Sequence, residues 1–142
     1  MNFLPSKDKF HIFPNNEDKH STYAIHSALS FYAIFGGHPD SVKLAIIHIP
    51  ITTTQKETFD SIVSAYVGHP PYDYAFFGMR CGAATYEVLA QLGFFQKYSY
   101  KKTSRKIFYP RRLRKRLFKM AQKNNWQIIR KEGTNHRKWE KD

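Results

Sequence analysis

Cys81 is the only cysteine among the 142 residues, and it directly follows Arg80 where a helical pattern begins. From Cys81 the apolar or small residues fall at 81, 84, 85, 88, 89 and 92, the three-and-four spacing of a helix with one buried face. Gly93 supplies the stop. Unpaired backbone N–H groups at a helix start carry partial positive charge and Arg80 adds a full one, so this setting favours a thiolate over a thiol. That is how a protein makes a cysteine nucleophilic. The competing reading of a lone cysteine is a buried structural residue, packed like any small apolar side chain.

A nucleophilic thiol needs a base, and histidine is the side chain whose unperturbed pKa is nearest neutrality. Of the seven histidines, His26 is the best placed. It lies near the start of a β-like run, on a face whose other members are mostly small, which leaves room for a helix N-terminus. A third polar group usually orients the imidazole, and His48, at the end of the next β-like run, suits that role. His11, His20, His38, His69 and His136 read as surface or satisfied core residues. No paired Cys or His stands at ligand spacing, so neither a metal site nor a cofactor is expected.

These residues need elements to hold them. Residues 1–22 are polar, with Pro5, Pro14 and an Asn-Asn-Glu-Asp-Lys cluster at 15–19, and read as an irregular N-terminal segment. Tyr23 to Phe35 alternates with period two and fits a strand; Gly36 to Asp40 is a turn, and Val42 to Ile49 is a second run that completes an antiparallel hairpin. Thr54 to Glu57 reads as a capping box opening a helix near 55–67, with Phe59, Ile62, Val63, Tyr66 and Val67 inward and Gly68 at its end. After the cysteine helix at 81–92, Phe94 to Tyr100 reads as a short strand or loop and a basic loop follows. Pro110 then begins a helix at 110–123 whose apolar stripe is Leu113, Leu117, Met120 and Ala121. Asn124-Asn125 ends it, and Trp126 to Arg130 is a closing strand. The fold class is therefore α+β: one domain over 1–142, with a small antiparallel sheet and three helices packed mainly on one side.

The segment around Cys81 resembles a known family. Tyr72-Asp73-Tyr74 ahead of Arg80-Cys81, followed by Ala83-Ala84-Thr85-Tyr86-Glu87-Val88-Leu89, is similar to the nucleophile segment of circularly permuted NlpC-type papain-like cysteine hydrolases, the YiiX-like group. Gly68-His69-Pro70-Pro71-Tyr72-Asp73 resembles the Gly-x-Pro-Tyr-Asp pattern leading into that segment, and Ile25-His26-Ser27-Ala28-Leu29-Ser30 resembles the histidine strand. The histidine precedes the cysteine, as in that family. The resemblance covers 23–95 and implies a permuted papain-like core with Cys81 as nucleophile, His26 as general base and His48 as orienting group. Tyr72 and Arg80, on the approach to the cysteine, are the candidate substrate contacts. Members of the family act on amide bonds of peptidoglycan peptides or on acyl lipids, so a cell-wall peptide or an acyl lipid is the implied substrate.

Composition frames the partners. A hydrophobic content of 42% with 16% aromatic residues argues for a folded core, and a single cysteine excludes an internal disulfide. The net charge of +12 is concentrated between Lys97 and Lys141, while residues 1–96 are near balance. A basic helix at 110–123 suits an anionic surface, so two readings compete with the hydrolase: a scaffold that binds without turnover, and a module that binds nucleic acid or another polyanion. No apolar run approaches the roughly 20 residues of a spanning helix, and no transmembrane segment is expected. The N-terminus lacks the apolar run of a secretory signal, which reads as cytoplasmic, or as periplasmic or cell-envelope if an export segment has been removed. Oligomeric state is not legible.

Overall fold

The computed structural model describes residues 1–6, 10–26 and 44–131. It has four strands and four helices among these residues: β1 (Asn2–Pro5), β2 (Ser21–Ala24), β3 (Leu44–Ile47), α1 (Thr53–Tyr66), α2 (Cys81–Gln91), α3 (Tyr100–Lys106), α4 (Pro110–Lys123) and β4 (Ile128–Lys131). The class is α+β, as expected, but the strands form two separate antiparallel pairs. β1 pairs with β2, with Phe3 opposite Tyr23, and β3 pairs with β4, with Ile46 opposite Ile129. The chain divides into two compact units. One takes the described residues of Met1–Ile25 and Ile51–Arg116, the other those of His26–Pro50 and Leu117–Asp142.

In the first unit, β1 lies against α2, and α2 also packs on α1 and α3. Ile62 of α1 meets Val88 and Leu92 in a small buried cluster, with Met1, Phe59, Tyr66 and Phe94 half-buried around it. The three-and-four spacing read in α1 therefore faces α2, although Val67 at its end is exposed. Both helix stops fall where glycine was read as the terminator: Gly68 and Gly93 adopt φ of +92° and +85°, which a side chain would strain. Gly82 serves by size, since a Cβ there would stand 3.3 Å from the Pro110 backbone. The first turn of α2 and the start of α4 thus meet closely.

Several expectations are corrected. Residues 1–22 are not all irregular, because β1 lies within them. Its four residues are too short to show a period, yet Phe3 is buried against Tyr23, Tyr72 and Tyr74 at ring distances of 4.8, 5.1 and 5.2 Å. The capping box sits two residues earlier than read: the Thr52 hydroxyl accepts from Gln55 N–H, and the Gln55 side chain accepts from Thr52 N–H. The basic stretch after Phe94 holds a fourth helix, α3, capped by Ser99. Thr103 and Ser104 are its buried residues, so its inner face carries no apolar signal.

β2 starts at Ser21 and ends at Ala24, which leaves His26 beyond it. Most of the hairpin expected between 23 and 49 lies outside the described residues. Its second run is β3, which pairs with the closing strand β4 where a strand was expected. The His48 N–H donates to the Gln127 carbonyl at 3.0 Å and extends that ladder. Asn125, at φ 53°, ends α4 as expected.

Candidate functional site

Cys81 is the first residue of α2, follows the extended N-cap Arg80, and is exposed. Most of the rest of the helix is buried, including Gly82, Ala83, Ala84, Tyr86, Glu87, Val88 and Ala90. Burial of that face fixes the helix, so the thiol is presented to solvent from a held terminus. The Tyr74 phenol is a titratable group that interacts with the Cys81 thiol. Burial pushes the Tyr74 phenol above its ordinary value, and the thiol beside it adds to the shift while Arg80 opposes it. Tyr74 was not among the residues singled out for chemistry. Its place seven residues before the cysteine follows from the short Tyr74–Met79 bridge, which turns the chain back beside α2.

Arg80 does not point freely into solvent. Its guanidinium donates to the Phe108 carbonyl and lies over the Phe108 ring at 4.2 Å and the Phe76 ring at 5.4 Å. Tyr72 is buried, and its hydroxyl is shared between the Tyr23 hydroxyl and Glu87 Oε2, the latter at 3.3 Å. The ring of Tyr72 nevertheless forms part of the wall of a cleft of about 510 Å³. Phe13, Pro14, Phe77 and Phe108 give that cleft an apolar lining, and Lys101 and Arg105 are its cations. Gly78 and Met79, which lead into Cys81, also line it.

His26 is half-buried, and His48 is exposed beside Asn124 and Trp126 around a second hollow. Both belong to the second unit, whereas Cys81 belongs to the first.

A dense polar constellation among the described residues of the first unit was missed. Asp73, whose side chain is wholly buried, accepts from His11 Nδ1 at 2.6 Å, from Asn15 N–H at 3.0 Å and from His20 N–H at 2.7 Å. Burial alone would raise its pKa, but these donors hold the carboxyl below its ordinary range. The imidazoles of His11 and His20 stack at 3.8 Å. The partners lie 53 to 62 residues from Asp73, so no local spacing could reveal them. Only the acidic position inside Tyr72-Asp73-Tyr74 offered a signal.

A second buried carboxylate, Glu87, lies further along α2 than its first turn. It sits among phenols: Tyr66 and Tyr72 donate to it at 3.3 Å, and Gln91 Nε2 also donates. Burial raises its pKa, and those bonds only partly offset the rise.

No family model, curated protein or solved structure matches the chain.

Proposed function

We propose that this protein is a cysteine hydrolase that cleaves amide or ester bonds, with Cys81 as its nucleophile. The observation that carries the reading is an exposed sole thiol at the first position of a largely buried helix. In this reading the sulfur attacks the substrate carbonyl carbon, and the Cys81 N–H at the helix start helps hold the developing oxyanion. The leaving group takes its proton from an imidazolium, and the thioester is then hydrolysed by water whose proton returns to the imidazole. His26 is the assigned base on the strength of the sequence resemblance, and His48 is its orienting group mainly on the hairpin expected from the sequence. The cleft leading toward Cys81 has an apolar wall, with Lys101, Arg105 and Asp73 also lining it, which suits a substrate with an apolar portion next to a polar or charged one. Peptidoglycan peptides and acyl lipids are the substrates that the resemblance implies.

Iodoacetamide labelling below neutral pH and release of p-nitrophenol from a short acyl ester test the proposal. Cys81 should label faster than free cysteine, Cys81→Ala should abolish turnover, and His26→Ala should lower it by about 100-fold or more. Labelling no faster than free cysteine, or turnover that survives Cys81→Ala, overturns it.

One observation favours a second reading, a polyanion-binding module. Arg111, Arg112, Lys115, Lys119 and Lys123 are exposed along α4, which has no acidic residue in its first turn. Binding to unrelated DNA that weakens steeply with salt and is unchanged by Cys81→Ala would support it.

A further inference from the structure

The loop between β1 and β2 brings three metal-ligating side chains together. One donor atom each of His11, Asp18 and His20 can be chosen so that all lie within 4.8 Å of one another. His20 Nε2 and Asp18 Oδ2 are already 3.4 Å apart. Two donors held about 2.0–2.1 Å from a tetrahedral zinc ion stand roughly 3.4 Å from each other, so this pair has the separation a metal requires.

The groups behind these donors set their orientation. His11 Nδ1 is engaged by Asp73 at 2.6 Å, which fixes the ring and directs Nε2 away from the carboxylate. A buried carboxylate on the far nitrogen of a ligating histidine is the usual outer support of a zinc site, because it sets the tautomer and raises the basicity of the ligating atom. Asp73 also accepts the His20 backbone N–H at 2.7 Å and the Asn15 backbone N–H at 3.0 Å, so one carboxylate anchors both imidazole-bearing segments. Asn15 Oδ1 in turn accepts from the N–H groups of Glu17 and Asp18, shaping the turn that presents the Asp18 carboxylate. Lys19 reaches instead to the Pro70 carbonyl at 3.0 Å and ties the loop to the segment before Asp73.

We propose that His11, Asp18 and His20 bind one divalent transition-metal ion, with Asp73 as the positioning carboxylate that holds His11. Two imidazoles and a single carboxylate suit Zn²⁺ and its neighbours in the first transition row and are a poor set for Ca²⁺ or Mg²⁺, which require more oxygen donors. Three protein donors leave a further position for water. The ion would clamp the loop between β1 and β2 by a link that does not involve Cys81, so the site stands whether or not the chain is a hydrolase.

The test is titration of the full, EDTA-treated chain with Zn²⁺ against a chromophoric chelator, and with Co²⁺ followed by its visible absorption. One ion per chain is expected. Asp18→Asn, a change at an exposed residue, and His20→Ala should each weaken binding by about 100-fold, and Asp73→Asn by roughly 10- to 100-fold. Cys81→Ser and His69→Ala should leave binding unchanged. Absence of stoichiometric binding, binding that survives both Asp18→Asn and His20→Ala, or binding lost with Cys81→Ser overturns the proposal.

Discussion

Asp73 and Glu87 are both buried carboxylates in the same compact unit, yet burial leaves them in opposite electrostatic states. Asp73 is held below the ordinary aspartate value of 3.8, while Glu87 is raised above the ordinary glutamate value of 4.5. The difference lies in the donors. Asp73 receives three bonds of 2.6 to 3.0 Å, two of them from backbone N–H groups that the chain path has already fixed. Tyr66 and Tyr72 reach Glu87 only at 3.3 Å, and they are themselves partners of other groups. Fixed backbone dipoles compensate a buried charge better than phenols that must be oriented, so one carboxylate releases its proton more readily than an ordinary aspartate and the other less readily than an ordinary glutamate.

The same isosteric change at each site should break the symmetry most visibly. Asp73→Asn places an amide N–H₂ among donors and leaves at least one buried N–H without an acceptor, which should cost about 2 to 3 kcal/mol in the metal-free protein. Urea unfolding at neutral pH measures it. A loss as small as that of a surface substitution would mean that Asp73 does not hold the N-terminal loop.

Glu87→Gln should do much less, and its sign should depend on pH. Because the folded carboxyl keeps its proton to higher pH than the unfolded one, wild-type stability falls as pH rises above the ordinary glutamate value and through the folded value. Glutamine does not titrate, so the variant should stay within about 1 kcal/mol of wild type in mild acid and be at least as stable above neutrality. A variant that loses more stability as pH rises would show that Glu87 is held ionised after all.

These two carboxylates also mark what the sequence discloses. Glu87 belongs to a helix whose spacing, start and glycine stop are all local, and α1, α2 and α4 were legible for the same reason. Its neighbours were not, since Tyr23, Tyr66, Tyr72 and Tyr100 converge from separate segments of the chain. The Asp73 cluster depends on β1 and β2 bringing a polar loop back across more than fifty residues, and a four-residue strand ending in proline shows no period to announce it. α3 was hidden by its own composition, because a helix that buries threonine and serine beneath lysines and arginines has no apolar stripe. Cys81 was legible through its helix, whereas its contact with Tyr74 depends on a bridge too short to read.

The smallest effect tests whether the phenols around Glu87 compensate its charge or only pack. Tyr72→Phe keeps the buried ring and its edge contact with Tyr100 at 4.7 Å, but deletes the hydroxyl shared by Tyr23 and Glu87. Loss of one such bond should cost about 1 kcal/mol or less below the ordinary glutamate value, where the carboxyl holds its proton in the folded and unfolded chain alike. The hydroxyl is also one of the groups that lower the Glu87 pKa, so without it the carboxyl should hold its proton to still higher pH. The decline in stability should then continue to higher pH than in the wild type, since the ionised form has lost a donor while the protonated form has lost less. Urea midpoints followed from mild acid into mildly alkaline solution would resolve this. An unchanged pH dependence would make Tyr72 a packing residue and assign the compensation of Glu87 to Gln91, Tyr66 and Lys97.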